Sequence, residues 1–183
     1  MNRILILVFS LVLLTTQPTS ARQDDPRLDQ LFGQLHVTEN TEKAAIIQSA
    51  IWNIWTESGS DSVDLLLKQG IAAMHTSNHQ AALQIFSTII KIDPGFAEAW
   101  NKRATLHYLM GDFARSILDI EKTLDLEPRH FGALTGLGSI YEAMDEKPLA
   151  LDAYRRALAV NPRLNGAARS IKTLEKDVEG RGI

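Results

Sequence analysis

Ala97-Glu98-Ala99-Trp100-Asn101-Lys102-Arg103-Ala104 opens a stretch that continues through Gly111-Asp112-Phe113 to Leu126-Glu127-Pro128. It reads as one helix, a Gly-Asp turn, a second helix and a proline stop. Glycine frees the backbone at the turn, and proline lacks the N–H that another helical turn requires. The design recurs on both sides. Pro94, Pro128 and Pro162 are evenly spaced along the chain. A helix-turn-helix unit that returns at such a fixed period marks a stacked repeat array.

Other landmarks keep step with the prolines. Units beginning at Val63, Ala97 and Phe131 carry a large apolar residue at the fourth place, namely Leu66, Trp100 and Leu134. Small residues stand at the eighth place (Gly70, Ala104, Gly138) and the twentieth (Ala82, Ser116, Ala150), and bulky ones at the twenty-fourth (Phe86, Ile120, Tyr154). Small side chains let the two helices of a unit approach, and bulky ones fill the space between units. One unit cannot bury its apolar face alone, so units stack. The third unit, with Leu134, Leu137, Gly138, Tyr141, Ala150, Tyr154, Ala157 and Pro162 in phase, carries the fullest pattern. Over Val63 to Leu164 the chain resembles the tetratricopeptide repeat family. The resemblance implies an all-α, right-handed solenoid that binds a protein or peptide partner and performs no catalysis. The strings around Trp100–Thr105 and Glu127–Leu134 also look like a subgroup of bacterial exported members of this family.

Composition bounds the alternatives. With 183 residues and 45% apolar content a packed core is feasible. A net charge of −3 without a basic tract argues against a nucleic-acid partner. The absence of cysteine excludes disulfides, thiol catalysis and thiolate metal sites. No Ser-His-Asp order or glycine-rich phosphate loop appears, and no cofactor is expected.

Taken in order, residues 1–21 read as a secretory signal. Arg3 precedes an apolar run from Ile4 to Leu14, and Thr19-Ser20-Ala21 offers small residues for cleavage before Arg22. The run is shorter than the ~20 residues of a membrane span; an uncleaved anchor is the competing reading. Removing residues 1–21 takes away Arg3 alone among the charged residues and leaves a net charge of −4. Export without cysteine suits a Gram-negative periplasm. Residues 22–62 are expected to form a degenerate hairpin and linker, with helices over Asp24–Gly33 and Thr41–Trp55, Thr41 as a cap, and the hairpin stacked on the first full repeat. Trp52 and Trp55 are assigned to packing, with an exposed docking patch as the alternative. Repeats at 63–96, 97–130 and 131–164 follow, then a capping helix and tail at 165–183. Asp61 and Asp64 are expected to cap the helix over Ser62–Thr76.

The resemblance implies a concave groove lined by places two, five, nine, twelve and thirteen of each first helix. These are Asp64, Leu67, Ile71, Met74 and His75, then Glu98, Asn101, Thr105, Tyr108 and Leu109, then Gly132, Thr135, Ser139, Glu142 and Ala143. The candidate partner-binding set is Leu67, Ile71, Met74, Asn101, Thr105, Tyr108, Thr135 and Ser139, apolar at one end and polar at the other. An N-terminal hairpin folded over the groove is the rival expectation. Leu67 and Ile71 stand where the chaperone-adaptor branch needs Lys and Asn for a C-terminal carboxylate clamp, which argues against that clamp. Arg103 falls where Leu usually packs inward. It requires a partner, with Asp93, Asp119 and Glu127 as candidates, or it forms an anion site with Arg129 and His130. His75 and His79 are four apart but straddle a turn, so no metal site is assigned. The functional expectation is a cell-envelope adaptor. The alternatives are a self-associating structural protein, as a homo-oligomer, and an anionic-ligand binder at Arg103.

Overall fold

The computed structural model describes residues 25–179; the signal-like segment lies outside them. Within that range the chain is all-helical: α1 (Pro26–Val37), α2 (Thr41–Trp55), α3 (Asp61–His75), α4 (His79–Ile92), α5 (Ala97–Leu109), α6 (Phe113–Leu126), α7 (Phe131–Ala143), α8 (Lys147–Val160) and α9 (Asn165–Glu179). From α3 onward each helix packs on the next, giving a solenoid of three hairpins closed by α9. No helix among the described residues is long and apolar enough to cross a membrane.

The period has a backbone cause at both ends of every repeat. Ser77, Gly111 and Asp145 all sit at positive φ, 56°, 76° and 58° respectively, at the turn between the paired helices. That left-handed geometry suits glycine and is strained for Ser and Asp. Asn78 and Asp112 then cap the following helix, each accepting the N–H three residues on. At the other end, Asp93, Glu127 and Asn161 precede the prolines. Each accepts a backbone N–H two residues later, from Gly95, Arg129 and Arg163.

The small places carry the packing. A methyl added at Gly70 would lie 2.5 Å from the Phe86 ring, and one added at Gly138 would lie 2.6 Å from the Tyr154 ring. Arg103 is the polar counterpart in the middle repeat. Its guanidinium donates to both Asp119 oxygens at 2.7 Å and to Ser87 Oγ at 3.2 Å, and lies 4.9 Å from the Trp100 ring centre. It thereby joins α4, α5 and α6.

Three local expectations are corrected. The first helix begins at Pro26, capped by Asp25, and continues through Gly33 to Val37, because Leu35 is buried beyond the glycine. Asn40 rather than Thr41 caps α2, accepting the Lys43 N–H at 2.8 Å. Asp64 accepts the Ser58 N–H and hydroxyl, both at 2.7 Å, so it ties the linker down instead of capping α3.

The larger correction concerns the hairpin. Its core of Leu28, Phe32, Leu35, Ile47, Ile51, Ile54 and Trp55 is completed by Phe131, Val160 and Leu164, not by α3 or α4. Gln48 reaches Asn161, and Arg129 donates to Asp29 at 2.6 Å while covering the Phe32 ring. The hairpin therefore lies along the inter-repeat loops and the start of α7.

The Gly138 contact sets two effects against each other. Alanine is the better helix former by roughly 0.5–1 kcal/mol. Tyr154 cannot yield, however, because its hydroxyl is held by Glu142 at 2.8 Å and by Ser139 at 3.1 Å. Gly138→Ala should destabilise the protein by about 1–3 kcal/mol, measured by chemical denaturation; an increase in stability would refute the packing argument.

Candidate functional site

Beneath the hairpin sits a buried carboxylate. Glu98, in the first turn of α5, is 0% exposed, as is His130, the cap of α7. Glu98 Oε2 accepts from Asn101 Nδ2 at 2.8 Å and lies 3.0 Å from His130 Nε2; Oε1 lies 2.8 Å from the Lys102 ammonium. His130 Nδ1 accepts the Ala133 N–H at 3.0 Å. That bond assigns the proton to Nε2, so the imidazole donates to Glu98. Burial alone would push the Glu98 carboxyl up. The His130 hydrogen bond and the Lys102 charge outweigh it and hold the group below its ordinary value of 4.5.

Two tryptophans roof this network. Trp55, 1% exposed, stacks on His130 with ring centres 4.2 Å apart and 12° between planes. Trp52 meets Trp55, His130 and Phe131 edge-on, and Lys102 lies 5.2 Å from its ring centre. Gly132 makes room: a methyl there would fall 2.7 Å from the Trp52 ring. Trp52 and Trp55 are thus packing residues. Glu98, at a groove position, is covered by the chain's own hairpin, whose Trp52 also meets Gly132 at the edge of the groove.

The remaining groove residues divide. Asn101, Thr105, Tyr108 and Ser139 line one opening of about 120 Å³ between α5 and α7, together with Ala104, Gly136 and Ile140. Thr135 and Ser139 line a neighbouring opening of about 370 Å³ against α9. There burial pushes the Tyr154 phenol above its ordinary value, so it remains a donor to Glu142. Leu67 does not reach either opening. It is buried in the core with Val63 and Phe86, and Ile71 and Met74 pack against the same cluster. The structure does not gather Arg103, Arg129 and His130 into an anion site. Arg103 is held by Asp119, Arg129 by Glu127 and Asp29, and His130 by Glu98.

Sequence reasoning missed Glu98 as a buried group, because its place is normally solvated. The signal was a glycine, Gly132, at a groove position.

Since the folded value of Glu98 lies below 4.5, its ionisation contributes stability that is fully present above that pH and is lost as the pH falls through the lower value. Glu98→Gln should cost about 3 kcal/mol at neutral pH. It should also flatten the acid limb of the stability curve and red-shift tryptophan emission as the roof loosens. Thermal melts from pH 7 to 3 with fluorescence detection check this; parallel acid limbs in the two proteins would contradict it.

The tetratricopeptide repeat profile matches residues 101–168. A TPR repeat-containing protein of Rhizobium etli is 36% identical over 164 residues, covering 90% of this chain and 80% of that one. Longer eukaryotic relatives are spanned over only 12–36% of their length. The Sgt2 TPR domain from Aspergillus fumigatus superposes with a TM-score of 0.62 at 22% identity, covering 67% of this chain and 84% of that domain. The first TPR of Spaghetti (RPAP3), bound to the HSP90 peptide SRMEEVD, gives 0.61 at 17%, covering 64% and 93%. Evenly spaced helical hairpins, small places facing bulky ones and a relative matched along most of its length lead to one conclusion: the chain belongs to the tetratricopeptide repeat family.

Proposed function

We propose that the protein is a non-enzymatic adaptor of the cell envelope that holds an extended segment of a partner protein in the open part of its groove. The opening between α5 and α7 carries this reading. At about 120 Å³ it is well below the roughly 300 Å³ at which small-molecule sites begin. It suits one apolar side chain of a longer ligand whose main chain runs outside. Thr105 Oγ1 donates to the Asn101 carbonyl at 2.9 Å, and the single Ser139 proton is shared between the Tyr154 oxygen at 3.1 Å and the Thr135 carbonyl at 3.2 Å. Both keep lone pairs for the N–H groups of a bound peptide.

Glu98 and His130 form a buried carboxylate–imidazole pair behind the groove. They are bonded to each other and roofed by tryptophan, so they build the wall of the groove rather than face a substrate. The peptide held by the similar Spaghetti domain supports the same kind of ligand. Placement in the envelope, as a periplasmic or secreted protein, rests on Arg3 and the apolar run from Ile4 to Leu14.

Thr105 and Tyr108 are exposed, so Thr105→Arg with Tyr108→Ala should change the melting temperature by no more than about 2 °C. In-cell cross-linking and affinity capture should recover a partner with the native protein and lose it with this variant. Equal recovery by both proteins would overturn the groove reading. Fractionation should place the protein in the periplasm with Arg22 as its first residue; a cytoplasmic chain retaining Met1 would overturn the envelope assignment.

A further inference from the structure

We infer that the opening between α7 and α9 is a subsite for an acidic side chain, Asp or Glu, of the same partner segment; the inference rests on the groove reading above. The capping helix keeps the register of the repeats. Arg169 stands one full repeat beyond Thr135 and two beyond Asn101, and Thr173 continues the row of Thr105 and Ser139. The groove therefore extends onto α9, and its last element presents a cation.

That cation is unengaged. Among the described residues, Arg27, Arg103, Arg115, Arg129, Arg155 and Arg156 each have a carboxylate within 4.0 Å. Arg163 and Arg169 have none, and Arg169 is the one that lines this opening, exposed beside Ser170. The facing wall, on α7, is different in kind. Glu142 is held there by the Tyr154 hydroxyl, the Thr135 hydroxyl donates to the Phe131 carbonyl, and the Ser139 proton is shared between the Thr135 carbonyl and the Tyr154 oxygen. The α9 side thus presents a cation, and the α7 side presents acceptors.

A peptide can satisfy both walls at once. Its main-chain N–H groups meet the α7 acceptors, and a carboxylate reaches Arg169 as a charge-assisted pair. The carboxylate belongs to a side chain, not to a chain end, because a terminal carboxylate would bring the main-chain charge against Glu142. Ser139 lines both openings, so they are neighbours. Packed helices lie about 8–10 Å apart, a distance that an extended chain covers in two to three residues at about 3.3 Å each. The recognised segment therefore carries an apolar residue and an acidic one two or three positions apart.

The test is selection of a random peptide library, displayed so that the peptide has no free C-terminus, on the purified protein and on Arg169→Glu. The native protein should enrich Asp or Glu two or three positions from an apolar residue. Arg169→Glu should shift that position to Lys or Arg, at an unchanged melting temperature. An amidated synthetic copy of an enriched peptide should bind Arg169→Gln about 10-fold more weakly. Peptides that depend on Tyr108 but show no acidic preference, or an unchanged preference with Arg169→Glu, would overturn this subsite and leave the groove reading standing. Failure to enrich any Tyr108-dependent peptide would overturn both.

Discussion

Two helices approach only as closely as their facing side chains permit, and the whole array depends on how that limit is met. In the first and third repeats a glycine receives an aromatic ring, Gly70 under Phe86 and Gly138 under Tyr154. In the middle repeat the pair is Ala104 and Ile120, one methyl larger on one side and smaller on the other. Large faces small in every repeat, which is what a close-packed interior requires. The middle hairpin also carries Arg103 with its bidentate Asp119, a contact that fixes the relative placement of three helices. A guanidinium can occupy that inward place because both faces of its cost are met: the charge is paired, and the plane is stacked on Trp100.

The stack was legible because its determinants are local and repeat. Prolines, small places and bulky places recur in phase, and the bounds of α5 to α8 follow from them. The turn residues Ser77 and Asp145 share the left-handed geometry of Gly111, yet only the glycine announces it in the sequence. What was not legible depends on contacts between distant residues. The hairpin reads as a degenerate repeat, so stacking it on α3 was the natural extension. Its real partners, His130 and Phe131, stand more than two repeats beyond Trp55 and obey no period. The anion site dissolved for the same reason. Arg129 looks free beside Pro128 and His130 until the fold brings Asp29, 100 residues away, onto it. Leu67, Ile71 and Met74 were assigned to the groove by place alone, but with no hairpin stacked ahead of α3 they pack against the Phe86 cluster.

Covering part of the groove has an electrostatic consequence for the part left open. The amino-terminal end of α7 carries the positive pole of its dipole. Here that end is already engaged: His130 caps it, with Glu98 bonded behind the imidazole and two tryptophans above. A ligand cannot use it. The open stretch runs from Asn101 and Gly132 to the carboxyl-terminal turns of α5 and α7, around Tyr108, Ser139 and Glu142. There the negative poles of the two helices and the Glu142 carboxylate make the wall an acceptor surface. A segment lying on that wall is bound through its own N–H groups, and an anionic group on the segment is repelled by the wall. In the proposed reading that charge is placed where the groove turns onto α9 and meets Arg169. In the proposed reading the roof over Glu98 takes the positive end of α7 out of use, and Arg169 supplies a cation elsewhere along the groove.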